Sequence, residues 1–142
     1  MKRYIVPVRL LELLFAAVFI YAGVLKIADP VGFARDIENY KLLPWSLSLA
    51  AGFYLPWLEV FCGLTIVLRR LYFGGLSMLT GLIGIFIFAS VIAKARGLDI
   101  TCGCFGHAAR NLSFAGHLAI DLAILAVAIV LWRFRFSRTV RV

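Results

Sequence analysis

Charged side chains are scarce in this 142-residue sequence: they make up 15% of it, where a soluble domain carries about 25%. Hydrophobic residues reach 63%, above the roughly 45–50% of soluble domains. The two departures point the same way. They exclude a soluble globular enzyme, and the hydrophobic content excludes an intrinsically disordered chain. Acidic residues are scarcest, seven against fifteen Lys and Arg. In a membrane sequence such a basic excess first sets orientation and is no sign of nucleic-acid binding. Three cysteines, Cys62, Cys102 and Cys104, are too few for a disulfide scaffold. None stands in a CxxC or CxxCH spacing, which sets aside a thioredoxin-like site and covalent haem. There is no internal repeat, low-complexity tract or linker, so residues 1–142 read as one domain.

What the sequence does have is long apolar runs. A membrane-crossing helix needs about 20 mostly apolar residues, and stretches at about 8–28, 45–68, 71–93 and 112–132 qualify. The fold expected is all-α: an integral membrane four-helix bundle with short connections. Lys2 and Arg3 before the first run resemble a signal peptide. That run is too long for a cleaved signal, contains Glu12 and is followed by no small-residue cleavage site. It is expected to stay as a signal anchor. Lys2, Arg3, Arg9, Arg69, Arg70, Arg133, Arg135, Arg138 and Arg141 fall on one side of this topology. The smaller group of Lys26, Arg35, Lys41, Lys94, Arg96 and Arg110 falls on the other. By the positive-inside rule both termini face the cytoplasm, and the 29–44 and 94–111 loops face the periplasm or exterior.

The 29–44 loop has structure of its own. Asp29-Pro30 is a good N-cap and first-turn pair. Phe33, Ile37 and Tyr40 then share one helical face, opposite Arg35, Glu38 and Asn39. This predicts a short amphipathic helix, either lying on the outer interface or covering the bundle.

The 94–111 loop carries Cys102-Gly103-Cys104, on the side where disulfides persist. Bridged Cα atoms lie about 4.4–6.8 Å apart, so two residues that span about 6.6–7.2 Å when extended must turn. Gly103 permits that turn. The resulting ring is small, and strained exposed disulfides are the labile, oxidising ones. As a staple the bridge closes almost no loop and constrains little of the unfolded chain. Lys94, Arg96, His107 and Arg110, set against Asp99 alone, favour the thiolate. Two other readings stay open. The cysteines can be reduced and merely packed, or Cys102, Cys104 and His107 can hold zinc, although three ligands in six residues make no closed tetrahedral site. Cys62 lies roughly 24 Å below the outer surface, too deep to resolve the loop pair, and reads as a packing residue.

Ionisable residues inside a span are costly and mark functional sites. Glu59 sits mid-helix just after Pro56 and must face the bundle interior. Glu12 is one turn from Arg9, an i, i+3 contact. Lys26, at the outer end of the first span, is expected to snorkel. His117 and Asp121, four residues apart, share one face of the fourth span below the cysteine loop. They read as a helix–helix hydrogen bond or as groups that relay protons or orient a quinone carbonyl.

Several of these residues fall in longer patterns: Arg9 and Glu12; Gly23-x-x-Lys26-x-x-Asp29-Pro30-x-x-Phe33; Tyr40-x-x-Leu43-Pro44; Pro56-x-x-Glu59-x-x-x-Gly63; and the run from Gly97 to Gly106 that holds Cys-Gly-Cys-Phe-Gly. With these the sequence resembles the MauE branch of the DoxX-like membrane proteins, the methylamine-utilisation protein E group, over nearly its whole length. The resemblance implies a four-helix protein of the bacterial cytoplasmic membrane. It implies a part in maturing the disulfide-rich small subunit of methylamine dehydrogenase with a periplasmic thioredoxin-like protein. The expected function is thiol–disulfide exchange at Cys102 and Cys104, with quinone as a possible electron partner and Glu59, Lys26, His107, His117 and Asp121 in support. Three alternatives are a non-enzymatic membrane anchor for a redox protein, a DoxX-like quinone-linked subunit without a role for the thiols, and a small transporter built around Glu59.

Overall fold

The computed structural model describes residues 5–98 and 114–139. Among them are five helices and no strand: α1 (Ile5–Ala28), α2 (Pro30–Asn39), α3 (Trp45–Leu68), α4 (Tyr72–Ala95) and α5 (Phe114–Thr139). The stretches Val6–Ala28, Trp45–Leu68, Tyr72–Ala95 and Phe114–Ser137 are long and apolar enough to cross a membrane. Their outward faces keep large apolar and aromatic side chains exposed, among them Tyr54, Trp57, Phe61, Ile85 and Phe88. A water-facing surface of that kind would aggregate, whereas lipid solvates it. The chain is thus a helical bundle of the membrane type.

The last helix runs to Thr139, where hydropathy predicts an end near 132. The reason is chemical. Arg133 and Arg135 end the apolar run but not the hydrogen-bonded helix, and Arg135 turns inward to a carboxylate, as described below.

α1 and α3 lie antiparallel in close contact. A Cβ on Gly23 would come within 2.8 Å of the Pro56 carbonyl oxygen, so glycine sets the distance between the two backbones there. α3 runs unbroken through Pro56. α4 returns after a tight turn in which Arg69 and Leu71 both take left-handed backbone angles (φ 58° and 54°). α4 ends in a glycine cap: Gly97 has φ +73°, and the Leu98 amide donates to the Ala93 carbonyl at 3.0 Å. The main core, built around Phe15, Phe19, Ile66, Leu76, Leu79 and Leu131, joins all four long helices.

Arg9 Nη2 donates to the Val67 carbonyl at 2.7 Å and Arg135 Nε to Glu12 Oε1 at 2.9 Å. The start of α1, the α3–α4 turn and the end of α5 therefore share one end of the bundle, the terminal end. The opposite, loop end holds α2, the end of α4 and the start of α5, where Lys94 Nζ lies 5.5 Å from the centre of the Phe114 ring.

α2 is the amphipathic helix that the 29–44 pattern predicts. Asp29 caps it, its Oδ1 accepting from the Gly32 amide at 2.9 Å. Phe33, Ala34 and Ile37 are buried, as is Tyr40 just beyond the helix, while Arg35 and Asn39 are exposed. The buried face rests on α3 at Gly52, where an added Cβ would lie 2.8 Å from that of Ala34. Of the two arrangements the sequence allows, α2 covers the bundle.

Candidate functional site

Lys26 comes from the last turn of α1 and Glu59 from the middle of α3. Lys26 Nζ donates to both carboxylate oxygens of Glu59, at 2.8 and 3.0 Å, and both side chains are 2% exposed. The snorkelling expected of Lys26 does not occur. α1 ends beside the middle of α3, so the lysine lies too far inside the bundle to reach its rim, and α2 folds over it. Phe33 of α2 and Phe86 of α4 flank the ammonium, with ring centres 4.8 and 5.4 Å from Nζ. The rings present their negative faces to the cation.

Glu59 faces the interior, as the cost of exposing a carboxylate to lipid requires. A buried ion pair recovers its desolvation cost only with good geometry and full hydrogen bonding. The two-oxygen grip of one ammonium, framed by two rings, goes towards meeting that condition.

Asp121 of α5 is also buried and lines the same small cavity as Lys26 and Glu59, together with Phe19, Ala22 and Phe86. The cavity offers about 30 Å³ of water-accessible space. That suffices for a water molecule, which needs about 10–15 Å³ by the same measure. His117 lies one turn nearer the loop end, about 6 Å along the axis. It is buried, and its Nε2 has no hydrogen-bond partner among the described residues. The polar groups of α1, α3 and α5 thus form a column from Glu59 through Lys26 and Asp121 towards His117 and the loop end.

Cys102, Cys104 and His107 lie outside the described residues, between Leu98 at the end of α4 and Phe114 at the start of α5. Cys62 is buried in the apolar core.

A second polar cluster closes the terminal end. Glu12, 1% exposed, meets Arg9 Nη1 at 3.0 Å, Arg135 Nε at 2.9 Å and Arg69 Nη2 at 3.5 Å. The Arg135 guanidinium also stands 4.6 Å from the centre of the Tyr72 ring. The i, i+3 contact with Arg9 is legible in the sequence. Arg69 and Arg135 are not, being 57 and 123 residues away from Glu12. The Lys26–Glu59 pairing was missed as well. Its signal is that an acid and a base deep in different spans need each other more than either needs the membrane surface.

A helical multi-pass membrane protein with a charge-paired interior is the class these features define. Within that class the sequence profile described as methylamine utilisation protein MauE matches residues 4–134, and the chain belongs to that family. A relative from Methylophilus methylotrophus, methylamine utilization protein MauE, is 29% identical over 134 aligned positions that cover 83% of this chain and 70% of the relative. No solved structure matches the chain significantly.

Proposed function

We propose that this MauE-family protein serves methylamine utilisation as a membrane thiol–disulfide exchanger, with Cys102 and Cys104 as the exchanging pair. The observation that carries the reading is the chain position of that pair. It lies on the segment joining α4 to α5 at the loop end, the end towards which the buried column rises through Asp121 and His117. In this reading the loop end faces the periplasm or exterior, and the reactant is a thioredoxin-like protein or a maturing disulfide-rich protein.

The step balances without a further redox group. A thiolate of the reactant protein attacks one sulfur of the Cys102–Cys104 disulfide, forming a mixed disulfide and releasing the other cysteine as thiolate. A second thiolate of the reactant attacks its own sulfur in that mixed disulfide and frees the first cysteine. Two electrons pass to the Cys102–Cys104 pair, and the two protons left by the reactant's thiols go to the new thiolates. Among the described residues, His117 is the buried titratable group nearest along the chain to this segment. The reverse sequence serves reduction of the same reactant.

Alkylation of intact cells with a membrane-impermeant maleimide tests the reading. Labelling of Cys102 and Cys104 that appears after mild reduction, together with a mixed disulfide trapped by Cys104→Ser or Cys102→Ser, is the expected result. Free labelling without reduction argues against a resting disulfide. Maturation that survives the double Cys→Ser change makes the protein an anchor for its redox partner and sinks the exchange mechanism.

A further inference from the structure

We infer that the arginines gathered around Glu12 bind the phosphate of an anionic lipid headgroup at the terminal end of the bundle. Three guanidiniums, from α1, the α3–α4 turn and α5, converge on one carboxylate. The cluster therefore carries two positive charges more than Glu12 neutralises. The division of exposure matters as much as the count. The Glu12 side chain is 1% exposed, while those of Arg9, Arg69 and Arg135 are 28%, 47% and 27% exposed. The carboxylate is withdrawn between the helices, while each cation it organises keeps part of its side chain exposed.

A guanidinium is a planar fork of donors suited to an oxyanion, and holding its position in advance reduces the entropy lost on binding. Arg9 is held from behind by the Ile66 and Val67 carbonyls at the end of α3, and Arg135 by Glu12 and the Tyr72 ring. Arg69 makes the longest contact of the three, at 3.5 Å from Glu12, and is the most exposed.

The depth of the cluster selects a lipid over a dissolved anion. Arg69 directly follows the span Trp45–Leu68, and Arg135 lies two residues before the end of Phe114–Ser137. The guanidiniums thus stand at headgroup level. Leu10, Leu68, Leu71, Phe134 and Phe136 are exposed around them, which gives acyl chains an apolar surface below the phosphate. Inorganic phosphate gains nothing from that surface. The α4–α5 segment that carries the cysteines is at the opposite end, so this site and the thiol reading stand or fall separately.

The test is a binding titration of the full-length protein in non-ionic detergent, read by native mass spectrometry. Phosphatidylglycerol, phosphatidylcholine and inorganic phosphate are the three probes. Phosphatidylglycerol should bind more tightly than phosphatidylcholine, and added salt should weaken it. Arg69→Gln should weaken phosphatidylglycerol about fivefold, the ratio that ~1 kcal/mol per basic residue near an anionic surface gives. Arg69→Lys should retain most of the binding. Arg35→Gln, on the exposed face of α2 at the other end, should change nothing. Equal binding of phosphatidylcholine, or equal losses in Arg69→Gln and Arg35→Gln, overturns the inference. Inorganic phosphate binding as tightly as the lipid overturns the assignment to a headgroup. Arg69 is half-exposed and makes the longest contact in the cluster, so its removal leaves the fold standing.

Discussion

Lys26 and Glu59 illustrate how one residue's environment is decided by another far along the chain. Each alone would be a charge in a hydrocarbon setting, at a cost of roughly 2.5–3.5 kcal/mol for the lysine by insertion scales. Together they form a neutral unit with two hydrogen bonds. Glu59→Gln or Lys26→Met should therefore destabilise the protein by about 3–5 kcal/mol, because each leaves a buried charge without its counter-charge. The double variant Lys26→Met/Glu59→Gln should recover most of that loss. Thermal unfolding of all four proteins in detergent checks this. Strictly additive losses would show that the pair is not coupled. Glu12 poses the opposite asymmetry. Arg69→Gln removes a half-exposed, long contact and should cost at most about 1 kcal/mol. Glu12→Gln leaves three guanidiniums facing one another and should lower the unfolding temperature far more. A smaller shift for Glu12→Gln than for Arg69→Gln would contradict the geometry described here.

Among the elements, α2 is where sequence and structure agree most closely. Its cap, its proline start and its apolar face at Phe33, Ile37 and Tyr40 are local signals, readable without knowing the fold. What α2 covers is not local. Phe33 reaches the Lys26 ammonium because Gly52 of α3 lets Ala34 approach. Gly52→Leu should push α2 off α3 at a cost of about 1–3 kcal/mol, typical of overpacking. Hydrogen exchange of the amides in 30–39 should then quicken, with little change in the core of α4. Unchanged protection of α2 would mean that its packing does not depend on that close approach. The end of α5 shows where hydropathy misleads. A run of alternating Arg and Phe reads as the edge of a span, yet the helix continues because Arg135 has an interior partner that no window of neighbouring residues reveals.

For the whole molecule, the number of spans was legible from apolar length alone. So was the inward facing of Glu59, because lipid does not accept a bare carboxylate. The pairing of charges was not. It depends on which helix faces meet, and near-uniform apolar surfaces carry little record of that. Small residues hold what record there is: Gly23 against Pro56 and Gly52 against Ala34 mark where backbones touch. Of the sequence-predicted site, Lys26, Glu59 and Asp121 line one cavity and His117 is buried one turn of α5 away, whereas the cysteine pair belongs to residues beyond those described.

The ion pairs at Glu12 also bear on how the chain is made. Arg9 is synthesised with Glu12 and meets it within one turn. Arg69 arrives with the second crossing, and Arg135 arrives last, 123 residues after the carboxylate it grips. A nascent chain that has inserted α1 to α4 thus has Arg9 and Arg69 in reach of Glu12 but lacks the contact of Arg135 with Glu12 Oε1 until α5 docks. Completion of the bundle is registered chemically at its first helix. A chain that stops before Arg135 lacks that contact between the last helix and the first.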